Sequence, residues 1–223
     1  MNARARLGIL GGTLDPIHLG HVETALAARA ALALDGVIVI PSRVPPHRQH
    51  QPIASRYHRF AMTALAVNGV EGLSASDMEL CAPGPSYTAD TLTRFQASSG
   101  LAAWQIFFIT GADAFAEIET WHRYPEFLDL AHFIVVSRPG YPVGLLKAKL
   151  PGLAPRMRSA DEARQATAEL GITLLDARTS DISSTEIRRR VSAGEPVADL
   201  VPTAVATHIG QHGLYVSSTH HPR

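Results

Sequence analysis

Short apolar runs alternate with longer amphipathic stretches along most of the chain. The apolar runs have the length of buried strands, and we predict strands near residues 6–10, 36–40, 72–76, 105–109, 132–136 and 172–176. The intervening and following stretches have helical spacing, and we predict helices near 20–33, 55–67, 88–97, 113–130, 184–193 and 203–211. This alternation is typical of an α/β fold with a doubly wound, mostly parallel sheet and helices on both faces.

The length of 223 residues is enough for one α/β domain, which we predict over residues 1–216. The polar tail over 217–223 is expected to be frayed. Four prolines and three glycines between 139 and 160 predict a surface connection there. Ligands of parallel sheets bind at the carboxyl ends of the strands, and each motif described below follows a predicted strand.

The composition favours a cytoplasmic enzyme. The 20 basic and 20 acidic residues balance, so we expect no overall field that would recruit nucleic acid or an anionic membrane. The apolar runs are far shorter than the roughly 20 residues of a membrane helix. The amino terminus has no sustained apolar segment and predicts no signal peptide, and a single cysteine excludes an internal disulfide. The oligomeric state does not follow from the sequence.

The segment GGTLDPIHLGH joins the first predicted strand to the first predicted helix. Gly11 and Gly12 can adopt positive φ and present backbone N–H groups to an anion, and Thr13 adds a hydroxyl donor. His18 and His21 lie three residues apart, on one face at the positive end of the helix dipole. The junction therefore predicts an anion site, with both histidines as catalytic candidates.

Other interpretations of this segment exist. Two histidines at this spacing can form half of a metal site, but no HExxH pattern or cysteine cluster supplies the remaining ligands. Either histidine can also be an ordinary core or surface residue. The phosphate-binding patterns GxxxxGK[ST] and GxGxxG are absent at this junction, so phosphate would be polarised here by imidazoles and backbone N–H groups.

GGTLDPIHLGH resembles the signature of the nucleotidylyltransferase superfamily, whose usual form is GGTFDPIHxGH. The departure is Leu14, where an aromatic residue is common. Leu14 is also large and apolar, so this difference concerns packing more than chemistry. The superfamily transfers a nucleotidyl group from a nucleoside triphosphate and releases pyrophosphate, and the resemblance implies this reaction class.

The loop PSRVPPHR resembles the PPHK element of one branch, the nicotinate mononucleotide adenylyltransferases. His47 and Arg48 would supply cationic donors to phosphate, with Arg48 in place of the lysine. A stiff proline loop without a function is the alternative. The following helix is also similar to that family, and its Arg59 is expected to buttress the loop.

Two further segments resemble the same branch. MELCAPGPSYTADTL is similar to the family's acidic strand followed by SYT-x-DTL, with Ser86 as a helix cap and N–H groups around Thr88 as a second anion site. FFITGADAFAEIETWHRYPEFL is similar to its strand, GAD turn and tryptophan-bearing helix. The resemblance implies that Asp113 accepts from ribose or the adenine side and that Trp121 offers a face to the pyridine ring. The alternatives are that Ser86 is only a helix cap and that Trp121 is an ordinary core residue. His122 replaces the tyrosine that is usual beside this tryptophan.

Near the carboxyl terminus, SRPG follows a predicted strand and ISSTEIRRR opens a predicted helix. Read plainly, the second segment is a capped helix with exposed basic residues. It resembles the family's ISST-x-IR segment, which implies that Ser183, Ser184 and Arg188 hold the β- and γ-phosphates of ATP. Arg138 of SRPG is a further candidate for substrate binding.

The resemblance extends from about residue 7 to Tyr215, with the motifs in the family's order. It implies adenylyl transfer from ATP to nicotinate mononucleotide in NAD biosynthesis, with His21 on the transferred α-phosphate and His18 beside it. It also implies Mg²⁺ bound mainly through ATP phosphates, because the sequence offers no dedicated carboxylate cage. An adenylyltransferase acting on phosphopantetheine and a nucleotide-binding sensor without turnover remain as alternatives.

Overall fold

The structure is a computed structural model that describes residues 5–46, 53–165 and 169–216. Its strands are β1 Leu7–Gly12, β2 Gly36–Pro41, β3 Leu73–Ala75, β4 Ile106–Gly111, β5 His132–Val136, β6 Met157–Ser159 and β7 Ile172–Leu175. Its helices are α1 Leu19–Leu32, α2 Arg56–Val67, α3 Thr88–Ser99, α4 Ala112–Phe115, α5 Leu146–Lys149, α6 Ala160–Gln165, α7 Ser184–Ser192 and α8 Thr203–Gln211.

The seven strands form one sheet in the order β3-β2-β1-β4-β5-β7-β6, and every neighbouring pair is parallel. The chain builds outward from β1 through β2 to β3, then returns to place β4 on the other side of β1. Loops after β1 and β4 therefore diverge and leave a crevice at the carboxyl ends of these strands. The predicted α/β fold with a parallel sheet is confirmed.

Helices cover both faces of the sheet, because successive strand residues point to opposite sides. In β1, Leu10 packs into a core with α1, α2 and α8, whereas Ile9 packs into a second core with α3 and α4. Burial on both faces explains why the strands read as continuous apolar runs in the sequence.

The predicted helix near 113–130 is wrong. Helix α4 ends at Phe115, and single 3₁₀ turns follow at Ile118–Thr120 and Glu126–Asp129. Between these turns Arg123 has φ 63°, and Pro125 has no N–H to donate. A left-handed residue followed by a proline cannot continue an α-helix.

The segment 139–160 is more ordered than the predicted connection. It contains α5, the three-residue edge strand β6 and the first residue of α6. Elements this short carry too few residues to produce a recognisable apolar period. The predicted tail 217–223 lies outside the described residues, and the boundary of the predicted domain stays a prediction. No helix in the described part of the chain is long and apolar enough to cross a membrane.

Candidate nucleotide-binding cleft

A cleft of about 320 Å³ opens at the carboxyl ends of β1 and β4, at the crevice between the two halves of the sheet. Most of the site residues predicted from the sequence line it, namely Gly11, Gly12, Thr13, His21, Ser86, Thr88, Asp113, Trp121, Arg138 and Ser184. His18 and Arg188 are buried beside it and do not form its wall. His47 and Arg48 lie outside the described residues, although Pro45 and Pro46 just before them line the cleft.

The glycine pair at the end of β1 does not use positive φ, so that expectation is wrong. Gly11 and Gly12 remain extended and pair with β2, because the strand continues beyond its apolar run. The residue with positive φ at this junction is Leu14, at 51°, and its apolar side chain is buried. The glycines instead keep the strand end free of side chains where it meets the cleft.

His21 lines the cleft from the first turn of α1. Its Nδ1 atom accepts a hydrogen bond from the backbone N–H of His18 at 3.2 Å. Because Nδ1 is an acceptor, the ring proton lies on Nε2, which makes Nε2 the donor atom of this imidazole.

His18 is the N-cap residue of the same helix and is only 1% exposed. Its ring packs against that of His21 with 3.7 Å between ring centroids. Burial, together with the positive charge of Arg138, lowers the pKa of His18 to about 3. The imidazole is therefore neutral, and its buried Nδ1 has no hydrogen-bond partner among the described residues.

Three helices of nine or more residues begin at the cleft. Residues in the first turns of α1, α3 and α7 line its wall, represented by His21, Thr88 and Ser184. The first N–H groups of each helix have no acceptor within the helix, and the macrodipole places positive partial charge there. Their convergence makes this cleft suited to a ligand with several anionic groups.

The two predicted serine caps have different outcomes. Ser183 caps α7, because its side chain accepts from the N–H of Glu186 at 3.1 Å. Ser86 does not cap α3, whose first flanking residue is Tyr87. The Ser86 hydroxyl accepts from the Arg43 N–H at 2.8 Å instead, which ties the loop after β2 to the start of α3. The predicted strand character of the preceding residues is also wrong, since they form turns.

Asp15 is the centre of a buried network beneath the cleft. Its carboxylate accepts from the N–H groups of Ile53 and Ala54 and from the Tyr215 hydroxyl, the last at 2.7 Å. Burial and the neighbouring carboxylate raise the pKa of Tyr215, which keeps its hydroxyl protonated as a donor. Arg188 donates from Nη1 to the Asp15 carbonyl at 2.6 Å. The predicted exposure of Arg188 is wrong, because it is 8% exposed and supports the loop from below.

Arg59 on α2 buttresses the cleft, as expected from the sequence. Its guanidinium is fully buried and donates to the carbonyl oxygens of Thr13 and Ser42 at 2.7 and 2.6 Å. Two longer hydrogen bonds reach the carbonyls of Arg43 and Ala54. One side chain thus joins the segments that follow β1 and β2.

The far wall of the cleft carries aromatic and charged side chains. Trp121 lines it and stacks on Phe127, with 5.9 Å between centroids and 13° between ring planes. His122 stacks on Tyr87 at 4.2 Å, which connects the tryptophan segment to the start of α3. Asp113 and Arg138 form an ion pair at 3.3 Å across the end of β4.

Glu79 is a cleft residue that the sequence reasoning did not single out. The residue is 7% exposed and lines the cleft, and its carboxyl group accepts from the Thr91 hydroxyl at 2.7 Å. Burial raises the pKa of Glu79, so its negative charge is disfavoured beside an anionic ligand. The only signal in the sequence is an acidic residue between Met78 and Leu80, which is too common to identify a buried carboxyl group.

Comparisons with known proteins agree on one family. The Cytidylyltransferase-like family matches residues 9–190. A Desulfatibacillum aliphaticivorans protein named "Probable nicotinate-nucleotide adenylyltransferase" is 40% identical over 219 residues, covering 95% of this chain and 100% of that protein. A protein of the same name from Moorella thermoacetica is 40% identical over 210 residues, covering 94% of this chain and 91% of that protein.

The solved structures show the same fold. Plasmodium falciparum nicotinic acid mononucleotide adenylyltransferase complexed with NaAD superposes with a TM-score of 0.72 at 18% identity. The match covers 95% of this chain and 97% of that chain. At this identity the likeness establishes the fold.

Proposed function

The chain belongs to the cytidylyltransferase-like family and, within it, to the nicotinate-nucleotide adenylyltransferases, and we propose from this membership that it transfers the adenylyl group of ATP to nicotinate mononucleotide. The products are nicotinate adenine dinucleotide and pyrophosphate, a step of NAD biosynthesis. The observation that carries the proposal is the convergence of three helix N-termini and the His21 imidazole on one cleft at the β1–β4 crevice.

The reaction is an in-line displacement at phosphorus. A 5′-phosphate oxygen of the mononucleotide forms a bond to the α-phosphorus of ATP, while the bond from that phosphorus to the oxygen bridging to the β-phosphate breaks. Pyrophosphate leaves with the electron pair, and no covalent enzyme intermediate is required. The protein aligns two anions and stabilises the charge on the phosphoryl oxygens.

We assign the α-phosphate to His21, whose imidazole lines the cleft and, with Nδ1 accepting from the His18 N–H, carries its proton on Nε2. His18 supports it by ring packing, and its neutral state means that it contributes hydrogen bonding and not charge. Gly11, Gly12 and Thr13 would bring backbone and hydroxyl donors to the same phosphates.

The remaining cleft residues divide between the two substrates. The start of α7, with Ser184 on the wall and Ser183 as its cap, suits the β- and γ-phosphates. Arg188 would act through the Asp15 carbonyl, and contacts of His47 and Arg48 with phosphate stay predictions. The mononucleotide would lie toward Ser86, Thr88 and Trp121, with Asp113 and Arg138 between the two substrates.

Mg²⁺ is expected to enter with ATP. The carboxylates on the cleft wall are Glu79, which is buried, and Asp113, which is paired with Arg138. Among the described residues these do not form a cluster of three ligands. This donor set fits Mg²⁺ held through substrate phosphates and water, since Mg²⁺ needs only one or two protein carboxylates. When bound, the ion would neutralise phosphate charge.

The test is the product mass after incubation with ATP, Mg²⁺ and separate acceptors. Nicotinate mononucleotide, nicotinamide mononucleotide and phosphopantetheine serve as the panel. We expect nicotinate adenine dinucleotide, with kcat/KM for the nicotinate form higher than for the nicotinamide form by at least about tenfold. A carboxylate accepts from two N–H groups at a helix start, whereas a carboxamide opposes one of them with its own NH₂. Equal products from both pyridine mononucleotides would contradict carboxylate recognition, and product from phosphopantetheine alone would contradict the proposal.

A further inference from the structure

Three histidines meet where α2 packs against α8, away from the residues that line the cleft. His58 lies on α2, His208 lies on α8, and His212 directly follows α8. One ring nitrogen from each of them lies within 4.8 Å of the other two. The closest pair is His58 Nδ1 and His208 Nε2, at 3.1 Å.

The spacing of these nitrogens suits a metal ion. Zn²⁺ binds imidazole nitrogen at about 2.0–2.1 Å, so two ligands of a tetrahedral site lie roughly 3.3 Å apart. The His58–His208 pair already has this separation. His208 and His212 are four residues apart, and helical geometry places such side chains on one face. The ring centroid of His212 lies 4.3 Å from that of His208 and 4.9 Å from that of His58.

The hydrogen bonding within the cluster also suits the binding of a metal cation. Where the nitrogens of His58 and His208 approach at 3.1 Å, they share one hydrogen. Neutral imidazole is the form that binds metals, and a metal ion would replace the shared hydrogen.

We propose that His58, His208 and His212 form a binding site for Zn²⁺, with water as the fourth ligand. Imidazole nitrogens select borderline transition metals over Mg²⁺ and Ca²⁺, which prefer oxygen ligands. The site would therefore bind a different class of metal ion from the Mg²⁺ that is expected to enter with ATP.

A metal ion here would link two helices that support the floor of the cleft. His58 precedes Arg59, which holds the carbonyls of Thr13 and Ser42. The chain after α8 leads to Tyr215, which donates to Asp15. Zn²⁺ would thus stabilise the folded protein by joining α2 to α8, with no direct part in adenylyl transfer.

The experiment measures Zn²⁺ binding to metal-stripped protein without nucleotide, by competition with a chromophoric chelator and by thermal unfolding. His220 and His221 are replaced by Ala in every sample, because adjacent histidines can bind Zn²⁺ by themselves. We expect one equivalent to bind and the Tm to rise by roughly 5–10 °C at a hundredfold excess over Kd. Co²⁺ in place of Zn²⁺ should give visible absorption bands from the same site.

Two ligand variants and one control complete the design. H208F keeps an aromatic ring, and H212Q changes an exposed position that folding should tolerate. Each should weaken Zn²⁺ binding by at least about tenfold and abolish the Tm rise. Q211A changes an exposed neighbour on the same turn and should bind as the parent does. An unchanged Tm with Zn²⁺, or H212Q binding as tightly as Q211A, would overturn the proposal.

Discussion

Replacement of Arg59 by Met tests whether one buried guanidinium holds the cleft together. Methionine fills the aliphatic volume but removes all four hydrogen bonds to backbone carbonyls. Hydrogen bonds from a charged donor contribute about 1.5–3 kcal/mol each. In the variant, some of these carbonyls near the cleft will form hydrogen bonds to water, which offsets part of the loss. We therefore expect a loss of about 3–5 kcal/mol in the free energy of unfolding, the range for breaking a buried charged network.

The same change should reduce activity. Arg59 joins the segments after β1 and β2, and a displacement of about 1 Å in positioning groups costs roughly a hundredfold in rate. We expect kcat/KM to fall by about that factor and the Tm to fall by roughly 10 °C. Arg56→Met is the matched control, because Arg56 lies one turn earlier on α2 and its guanidinium contacts the side chain of the neighbouring Tyr57 instead of backbone carbonyls of the cleft. Denaturant unfolding and pyrophosphate release measure the two effects. Equal stability and equal kcat/KM in both variants would refute the reasoning.

Three further predictions concern single side chains. His21→Ala should lower kcat by about 10²–10³ with little change in stability, because it removes one preorganised donor; a kcat within threefold of the parent would remove His21 from the transition state. Arg188→Ala should lower kcat/KM for both substrates by similar factors, because Arg188 holds the Asp15 carbonyl; a rise in KM for ATP alone would favour direct contact with phosphate. Burial lowers the pKa of His132 to about 4. Between about pH 6.5 and 4 the unfolded chain therefore binds a proton that the folded protein does not. The free energy of unfolding consequently decreases as the pH is lowered through this range. Between pH 7 and 5, denaturant unfolding should show a loss for the parent that exceeds that of His132→Gln by roughly 1–2 kcal/mol; equal losses would exclude His132 as the cause.

The sequence alone determined most of the strands and longer helices and identified ten of the residues that line the cleft. Gly11, Thr13 and His21 could be predicted because a strand, a turn and a helix start lie within a few residues of each other, so local geometry brings their donors together. Thr88 and Ser184 followed from the same logic at two other helix starts. The role of a residue can be predicted from the sequence alone when it depends only on the helix terminus to which that residue belongs.

The tertiary structure decided which of these segments meet and which donors remain available to a ligand. The order of strands places β4 beside β1, and no local pattern encodes that pairing. From the sequence, Arg188 was either an exposed basic residue or a phosphate ligand, whereas in the fold it is buried and its guanidinium donates to the carbonyl of Asp15, 173 residues away. His58 and His208 are separated by 150 residues, so their contact leaves no spacing in the sequence. Long-range partners are selected by burial, because a buried donor must find an acceptor wherever the fold brings one.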